Sequence, residues 1–336
     1  MPRVTVVMPT FERTKYLAKA LPSVLDQTFA DIAVKINDNS ETDAIERFLE
    51  KYPDPRITYE KRRANLGGGL NWICSMQEPE TEYVASLNDD DAWHPTFLER
   101  TVAALDANPT AAMAFTEYSM HDDVDAVRGY LDASNREASR WDDLAPGLHK
   151  GGEEDLLRAI VVWFAVRPAW AGLARTSAVR SVYFPYEVAY VGDLWLPYKL
   201  WYDGHDFVFV DEVLSEYRFH GDNVAVSGKS VDDYVFLHVL EHLGAHQEAL
   251  RAEVLESWSN MRWDRLLKAS RRGSPSRAQR REMAEIARHF QGKRRIAAQV
   301  AALPIAGPPV RRLLDVRSGW IAKKGDELAR AEQVVP

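Results

Sequence analysis

A single cysteine, Cys74, stands among 336 residues. One thiol excludes an internal disulfide framework and a thiolate zinc cluster, which need several sulfurs at short spacing. The shortage fits a reducing cytoplasm. Cys74 lies inside the apolar run Leu70 to Met76 and reads as a small core hydrophobe, not a catalytic thiol. Long apolar runs are also missing. No stretch reaches the roughly 18 residues a membrane-crossing helix needs, and the best, 297–310, is broken by prolines. Met1-Pro2-Arg3 passes straight into Val4-Thr5-Val6-Val7-Met8, too short for a signal-peptide apolar region with a cleavage site. The expectation is a soluble cytoplasmic protein, at most peripheral to the inner face of the membrane.

What is present is a packed chain. Ten tryptophans and a hydrophobic fraction of 46% supply the apolar surface that a disordered chain lacks. The length suits one large α/β domain plus an appendage. Charge is divided unevenly: residues 256–336 carry 18 Lys and Arg against 8 Asp and Glu, and the rest carries 24 against 42. Such a split implies separate jobs for the two parts.

Up to residue 120, short β-rich runs alternate with helical stretches. Val4 to Met8, Ala33 to Ile36, Ile57 to Tyr59, Tyr83 to Leu87 and Ala111 to Phe115 read as strands. Lys15 to Gln27, Glu41 to Lys51, Leu66 to Met76 and Pro95 to Asn108 read as helices, with a break expected at Pro22. This alternation predicts an α/β fold with a mostly parallel, Rossmann-like sheet flanked by helices. Between 121 and 192 the periodicity is poor. Further on, Leu194 to Tyr202 and Asp232 to Leu250 read as helices and Phe207 to Val210 as a strand. After Glu256 the chain is basic and helical, with breaks at Gly273-Ser274-Pro275 and Ala306-Gly307-Pro308-Pro309.

Ligands of open α/β sheets bind beyond the carboxyl ends of the strands. The polar clusters Pro9-Thr10-Phe11-Glu12, Asn37-Asp38-Asn39-Ser40 and Asn88-Asp89-Asp90-Asp91 each follow a strand and are expected to converge there. Three adjacent carboxylates are costly unless a cation or hydrogen-bond donors compensate. Mg²⁺ accepts such hard oxygen ligands, commonly one or two carboxylates with substrate phosphates. An arbitrary acidic triplet would more often be a solvated loop, with Asp91 capping the next helix.

The series Val6-Val7-Met8-Pro9-Thr10-Phe11, Ile36 to Ser40, Arg63-Ala64-Asn65-Leu66-Gly67 and Leu87 to Pro95 resembles glycosyltransferase family 2 in order and spacing. Gly192-Asp193-Leu194-Trp195-Leu196-Pro197-Tyr198-Lys199-Leu200 with Gly204 resembles that family's base motif, and Tyr217 to Asn223 its closing motif. The resemblance covers residues 3 to 225. It implies a GT-A fold, with a catalytic domain over 1–225 (a nucleotide-sugar half to 120, an acceptor half from 121) and a basic helical extension over 226–336. It implies an inverting, metal-dependent hexosyltransferase that moves a sugar from a UDP- or TDP-sugar to an acceptor hydroxyl.

Carried over residue by residue, Pro9, Thr10, Phe11, Glu12, Asp38, Arg63, Asn65 and Gly67 would line the nucleoside pocket. Asp89 would face the ribose or sugar, Asp90 would bind Mg²⁺ or Mn²⁺, and Asp91 would support either. Asp193 would be the general base, although alone it reads as a helix N-cap. His220 would reach the metal or diphosphate, and Arg218 would be structural or pair with a carboxylate or phosphate. Asn88 stands where the motif often opens with Asp, and Gly192 where Glu commonly precedes the base. Of Trp163, Trp170 and Trp195, Trp170 is the acceptor-stacking candidate; core packing is the commoner role for each.

A sugar nucleotidyltransferase should show a Gly-rich, cationic phosphate loop after the first strand, which Thr10-Phe11-Glu12-Arg13 lacks. Gly67-Gly68-Gly69 has neither the P-loop nor the dinucleotide spacing. The other alternative is a non-catalytic glycan- or nucleic-acid-binding protein using the basic tail. The expected partners are a nucleotide-diphosphate sugar and a glycan, lipid-linked or small-glycoside acceptor, not a nucleic acid. The C-terminal helices are candidates for a homo-oligomer contact, a peripheral membrane contact or a lid.

Overall fold

A computed structural model of the chain describes residues 1–122, 143–220, 233–244, 247–271 and 276–289. These divide into two compact units, one made of 1–122 and 143–219 and the other of the described residues from 220 onward. The predicted break at 273–275 and the one at 306–309 fall outside the described residues.

In the first unit the strands are β1 (Val4–Thr10), β2 (Ile32–Asp38), β3 (Ile57–Lys61), β4 (Tyr83–Ser86), β5 (Ala92–Trp93), β6 (Ala111–Asp122), β7 (Gly147–His149), β8 (Gly172–Arg175) and β9 (Asp206–Phe219). The helices are α1 (Thr14–Leu25), α2 (Ala44–Leu49), α3 (Gly68–Gln77), α4 (Phe97–Ala107), α5 (Glu154–Leu157), α6 (Thr176–Ser181) and α7 (Gly192–Tyr202). One sheet runs β3-β2-β1-β4-β8-β6-β9-β5, with β7 paired to β9. β3, β2, β1 and β4 are mutually parallel, as the alternating pattern predicts. β8 runs antiparallel between β4 and β6, inside the 121–192 stretch where periodicity carries no strand signal.

Period-two burial sets the two faces of the sheet. Val4, Val6 and Met8 join Leu17, Leu21 and Val24 of α1 and Phe97, Leu98 and Val102 of α4 in one core. The alternate Val7 is buried on the other face, where Trp72 Nε1 of α3 donates to Ser86 Oγ at 3.0 Å. Cys74, expected in the core, is only half-buried on α3. Pro22 does not break α1. The helix ends three residues after it, so one backbone bond is lost, and Pro22 C=O still accepts from Asp26 N–H at 2.9 Å.

α3 lies tight against the chain leading to α7. A Cβ on Gly69 would stand 1.7 Å from the Ala189 carbonyl oxygen, so backbone meets backbone there. Gly69→Ala is expected to destabilise the domain by about 1–3 kcal/mol, the usual cost of overpacking. Thermal denaturation followed by circular dichroism measures it, and an unchanged Tm would count against this packing.

In the second unit, α8 (Asp233–His242), α9 (Glu248–Arg271) and α10 (Arg277–Ile286) replace the single helix expected over Asp232 to Leu250. The first of these stops at Gly244, whose N–H donates to the Gln247 side chain at 3.2 Å. Phe236 stacks on Trp258, and Arg262 of α9 pairs with Glu282 of α10 at 3.1 Å. Ser276 and Gln279 cap α10 reciprocally. Among the described residues no helix is long and apolar enough to cross a membrane.

Candidate active site

The carboxyl ends of β1, β2 and β4 bring the three polar clusters together. Thr10 is in register with Asp38, and Asn39 N–H donates to Thr10 C=O at 2.9 Å. Asp38 is fully buried; its oxygens accept from Ser40 N–H at 2.8 Å and Tyr59 O–H at 2.9 Å. Glu12 has a positive φ of 54°, uncommon for a residue with a side chain, and is held there from both ends. Its N–H donates to Ser40 Oγ at 2.7 Å, and its carboxylate accepts from Thr42 N–H and Oγ at 2.9 and 2.6 Å. The Asn65 side chain accepts from Asn39 Nδ2 and Gly67 N–H, both at 2.8 Å, and Gly67 takes φ 78°.

Thus Pro9, Thr10, Phe11, Glu12, Asp38, Asn65, Gly67 and Asp89 share one end of the sheet. Arg63 is exposed. It is the preceding Arg62 that folds inward, donating to Asn71 Oδ1 at 2.9 Å and Glu78 Oε1 at 2.6 Å.

All three aspartates of the acidic loop are buried, Asp91 completely. Asp89 accepts from Thr10 Oγ at 2.7 Å and Phe11 N–H at 3.3 Å. One arginine, Arg13, spans the first two, with Nη1 2.6 Å from Asp90 Oδ2 and 3.3 Å from Asp89 Oδ1. Burial, reinforced by the Asp90 charge, pushes Asp89 up to about 7 against the pull of Arg13, Thr10 and Phe11. Asp91 is built differently: its oxygens accept from Asn88 Nδ2 and Arg218 N–H, both at 3.0 Å. Burial, then Asp90, raises its pKa well above the carboxylate range. Asn88, in the position that often holds Asp, therefore fastens Asp91, and Arg218 Nε fastens the Asp90 carbonyl at 2.6 Å. This clasp ties the loop to the end of β9 and makes Arg218 structural.

The donor set offers hard carboxylate oxygens already paired with a cationic side chain, the chemistry a divalent ion requires. Among the described residues no three His, Cys, Asp or Glu side chains stand grouped as a metal site. His220, named with Asp90 as a metal ligand, begins the second unit.

Asp193 lies in the first turn of α7, whose N-cap is Val191, so the N-cap reading of Asp193 gives way to an N-terminal-turn position. Its side chain is 29% exposed, with Arg167 Nη1 3.8 Å from Oδ2. Burial raises its pKa; Arg167 and the backbone N–H groups of Asp193 and Leu194 oppose that rise. Gly192 has no room for a side chain, because a Cβ would sit 2.7 Å from Ile73 Cγ1. The carboxylate commonly found before the base is therefore excluded by the contact of α7 with α3.

Trp170 is flanked by Tyr217 and Tyr118, with ring centroids 4.7 and 5.6 Å away, and its carbonyl accepts from Trp93 Nε1 at 2.6 Å. Its own Nε1 is buried without a hydrogen-bond partner among the described residues. Tyr217 connects the two carboxylate groups electrostatically: burial and then Asp91 and Asp90 push its hydroxyl up, while Arg167 pulls it down. Trp163 and Trp195, 5% and 3% exposed, are core residues. Sequence reasoning missed Arg13 and Arg167 as site residues. Arg13 directly follows the first motif, but Arg167 lies in an aperiodic run that gives no signal.

The description "Glycosyl transferase family 2" belongs to the family model that matches residues 5–146. An uncharacterised glycosyltransferase of Nostoc sp. is 24% identical over 241 residues, 68% of each chain. Other curated relatives are matched over about half of their length or less. Among solved structures, S. aureus TarS 1–349 in complex with UDP-GlcNAc aligns with a TM-score of 0.58 at 16% identity, over 97% of this chain and 92% of that one. The mannosyltransferase PcManGT from Pyrobaculum calidifontis, in complex with GDP-Man and Mn²⁺, aligns with a TM-score of 0.53 at 16% identity, over 97% and 87%.

Proposed function

This chain carries a family 2 glycosyltransferase domain of GT-A type, and from that premise we propose that it is an inverting transferase moving a sugar from a nucleotide diphosphate to an acceptor hydroxyl. The carrying observation is the buried Asp89–Asp90 pair clasped by Arg13 where β1 and β4 end. Asp38, Glu12, Asn65 and Gly67 bound the nucleoside side of that end, and UDP and TDP are the candidate nucleotides. TarS in complex with UDP-GlcNAc lends support to the former.

Asp90, with Asp89 beside it, would hold Mg²⁺ or Mn²⁺, and the Mn²⁺ of PcManGT is consistent with this donor set. Bound there, the ion would offset the charge that develops on the departing diphosphate. Asp193 accepts the proton of the acceptor hydroxyl as that oxygen bonds to the anomeric carbon and the bond to the diphosphate breaks, inverting the configuration. A base raised by burial yet kept near an arginine suits proton transfer close to neutral pH. Trp170, beside Tyr217 and Tyr118, presents the aromatic surface on which an acceptor ring would stack. A screen of nucleotide sugars by thermal shift with Mn²⁺ tests the reading; stabilisation by none of the UDP-, TDP- or GDP-sugars would reject it.

Arg13 acts as the internal counter-cation of the acidic pair. Arg13→Gln leaves two buried carboxylates facing each other. It is expected to destabilise the metal-free protein by roughly 1–3 kcal/mol, below the 3–5 of a fully buried pair because Arg13 is 25% exposed. Mn²⁺ should raise the Tm of the variant more than that of the parent chain. An equal Mn²⁺ effect on both would show that Arg13 and the ion do not compete.

A further inference from the structure

We propose that Arg167 is a positioning residue for the proton acceptor, its guanidinium fixed by the Phe164 turn so that it holds the Asp193 carboxylate ionised and in one orientation. The inference rests on the reading of Asp193 as the base. Its geometric support lies in a segment with no other evident purpose. Residues Arg158–Val162 form one π-helical turn, a rare widening often found at functional sites. Two residues later Phe164 takes φ 54°, a conformation that costs a bulky residue energy and persists only where its surroundings enforce it.

That strained turn points its products at one side chain. The Phe164 carbonyl accepts from Arg167 Nε at 3.1 Å and from Tyr118 O–H at 3.1 Å. Arg167 also lies over the Phe164 ring, 4.6 Å from its centroid, and 5.8 Å from that of Trp170. With Nε and both ring faces engaged, Nη1 is left 3.8 Å from Asp193 Oδ2. Such a fork, held by an acceptor and two rings, is rigid in a way a surface arginine is not.

The charges around Asp193 are few. Arg167 is the charged side chain that acts on it, beside the first-turn N–H groups of its own helix. Lys199 of α7 is paired with Asp203, and α3 meets the start of α7 with Ile73 and Trp72, which are apolar. Tyr217 faces Arg167 and is kept neutral by the acidic loop. Burial favours the protonated acid, which cannot accept a proton, and Arg167 works against that. Removing its charge therefore moves the ionisation of Asp193 to higher pH.

The test is a ¹³C NMR titration of aspartate-labelled full chain, with the Asp193 carboxyl signal assigned by its loss in Asp193→Asn. Arg167→Gln, which keeps an N–H donor for Phe164 but no charge, should move the Asp193 midpoint up by about one pH unit or more. Arg167→Lys, which keeps the charge, should move it less than half as far. In the parent chain, raising the salt concentration should shift the midpoint in the same direction, so the result does not depend on a variant folding. A midpoint unmoved in Arg167→Gln, or moved equally by Gln and Lys, overturns the proposal. Transfer activity retained in Asp193→Asn would instead remove the base reading and leave the measured coupling standing.

Discussion

Asp193→Asn is expected to lower kcat by roughly 10²–10⁴-fold, the contribution of a positioned general base, while nucleotide-sugar affinity stays nearly unchanged. Asp193 touches the donor end of the sheet through no hydrogen bond; its neighbours are Arg167 and the first turn of α7. An amide is close to isosteric with the carboxylate, keeps the helix N-terminal position and cannot take the hydroxyl proton. The lost interaction exists only in the transition state, so kcat falls and donor binding does not. Steady-state kinetics combined with calorimetric titration of the donor separate the two. Transfer at the parent rate in Asp193→Asn would remove the base assignment.

Asp90→Asn should act on the other half of the reaction. Asp90 is buried beside Asp89, and its carboxylate is the closer of the two to Arg13. Replacing it removes one anionic oxygen ligand from the proposed cation site, a charge-assisted contact of about 1.5–3 kcal/mol, so metal-dependent donor affinity should weaken about 10- to 100-fold. The metal-free protein should lose little stability, because Asp89 is relieved of a like charge and keeps Arg13. Donor titrations with and without Mn²⁺ give the first quantity and thermal melts the second. Undiminished Mn²⁺-dependent binding would move the cation away from Asp90.

The parallel half of the sheet was legible because its signals are local. Val4 to Met8 and Ile32 to Ile36 are β-branched runs, each followed by a polar cluster, and the register of Thr10 with Asp38 brings those clusters together as the strand-end rule requires. β8, in the middle of the same sheet, was not legible. Gly172-Leu173-Ala174-Arg175 is too short and too mixed to show alternation, and its place is fixed by β4 and β6, one from each side. Pro22 misled for a related reason: its effect depends on how many helical residues follow, and α1 ends at Leu25.

The site divides the same way. Asp89, Asp90 and Asp193 sit in motifs whose spacing is visible in the sequence, but what each carboxylate bonds to is set over long separations. Arg218 reaches Asp91 from 127 residues away, and Arg13 reaches Asp90 from 77. The inward turn of Asp91, the work done by Arg62 where Arg63 was expected, and the clamp on Arg167 all follow from tertiary contacts that no local pattern encodes. Gly192 is the reverse case: its departure from Glu is plain in the sequence, but its cause, Ile73, is not.

The most direct measurement of the central claim is release of nucleoside diphosphate from a panel of UDP-, TDP- and GDP-sugars by the purified chain, with Mn²⁺, with Mg²⁺ and with chelator. The account predicts turnover of at least one donor, lost on chelation and lost in both Asp90→Asn and Asp193→Asn. No binding and no turnover of any nucleotide sugar in the presence of either metal would contradict it.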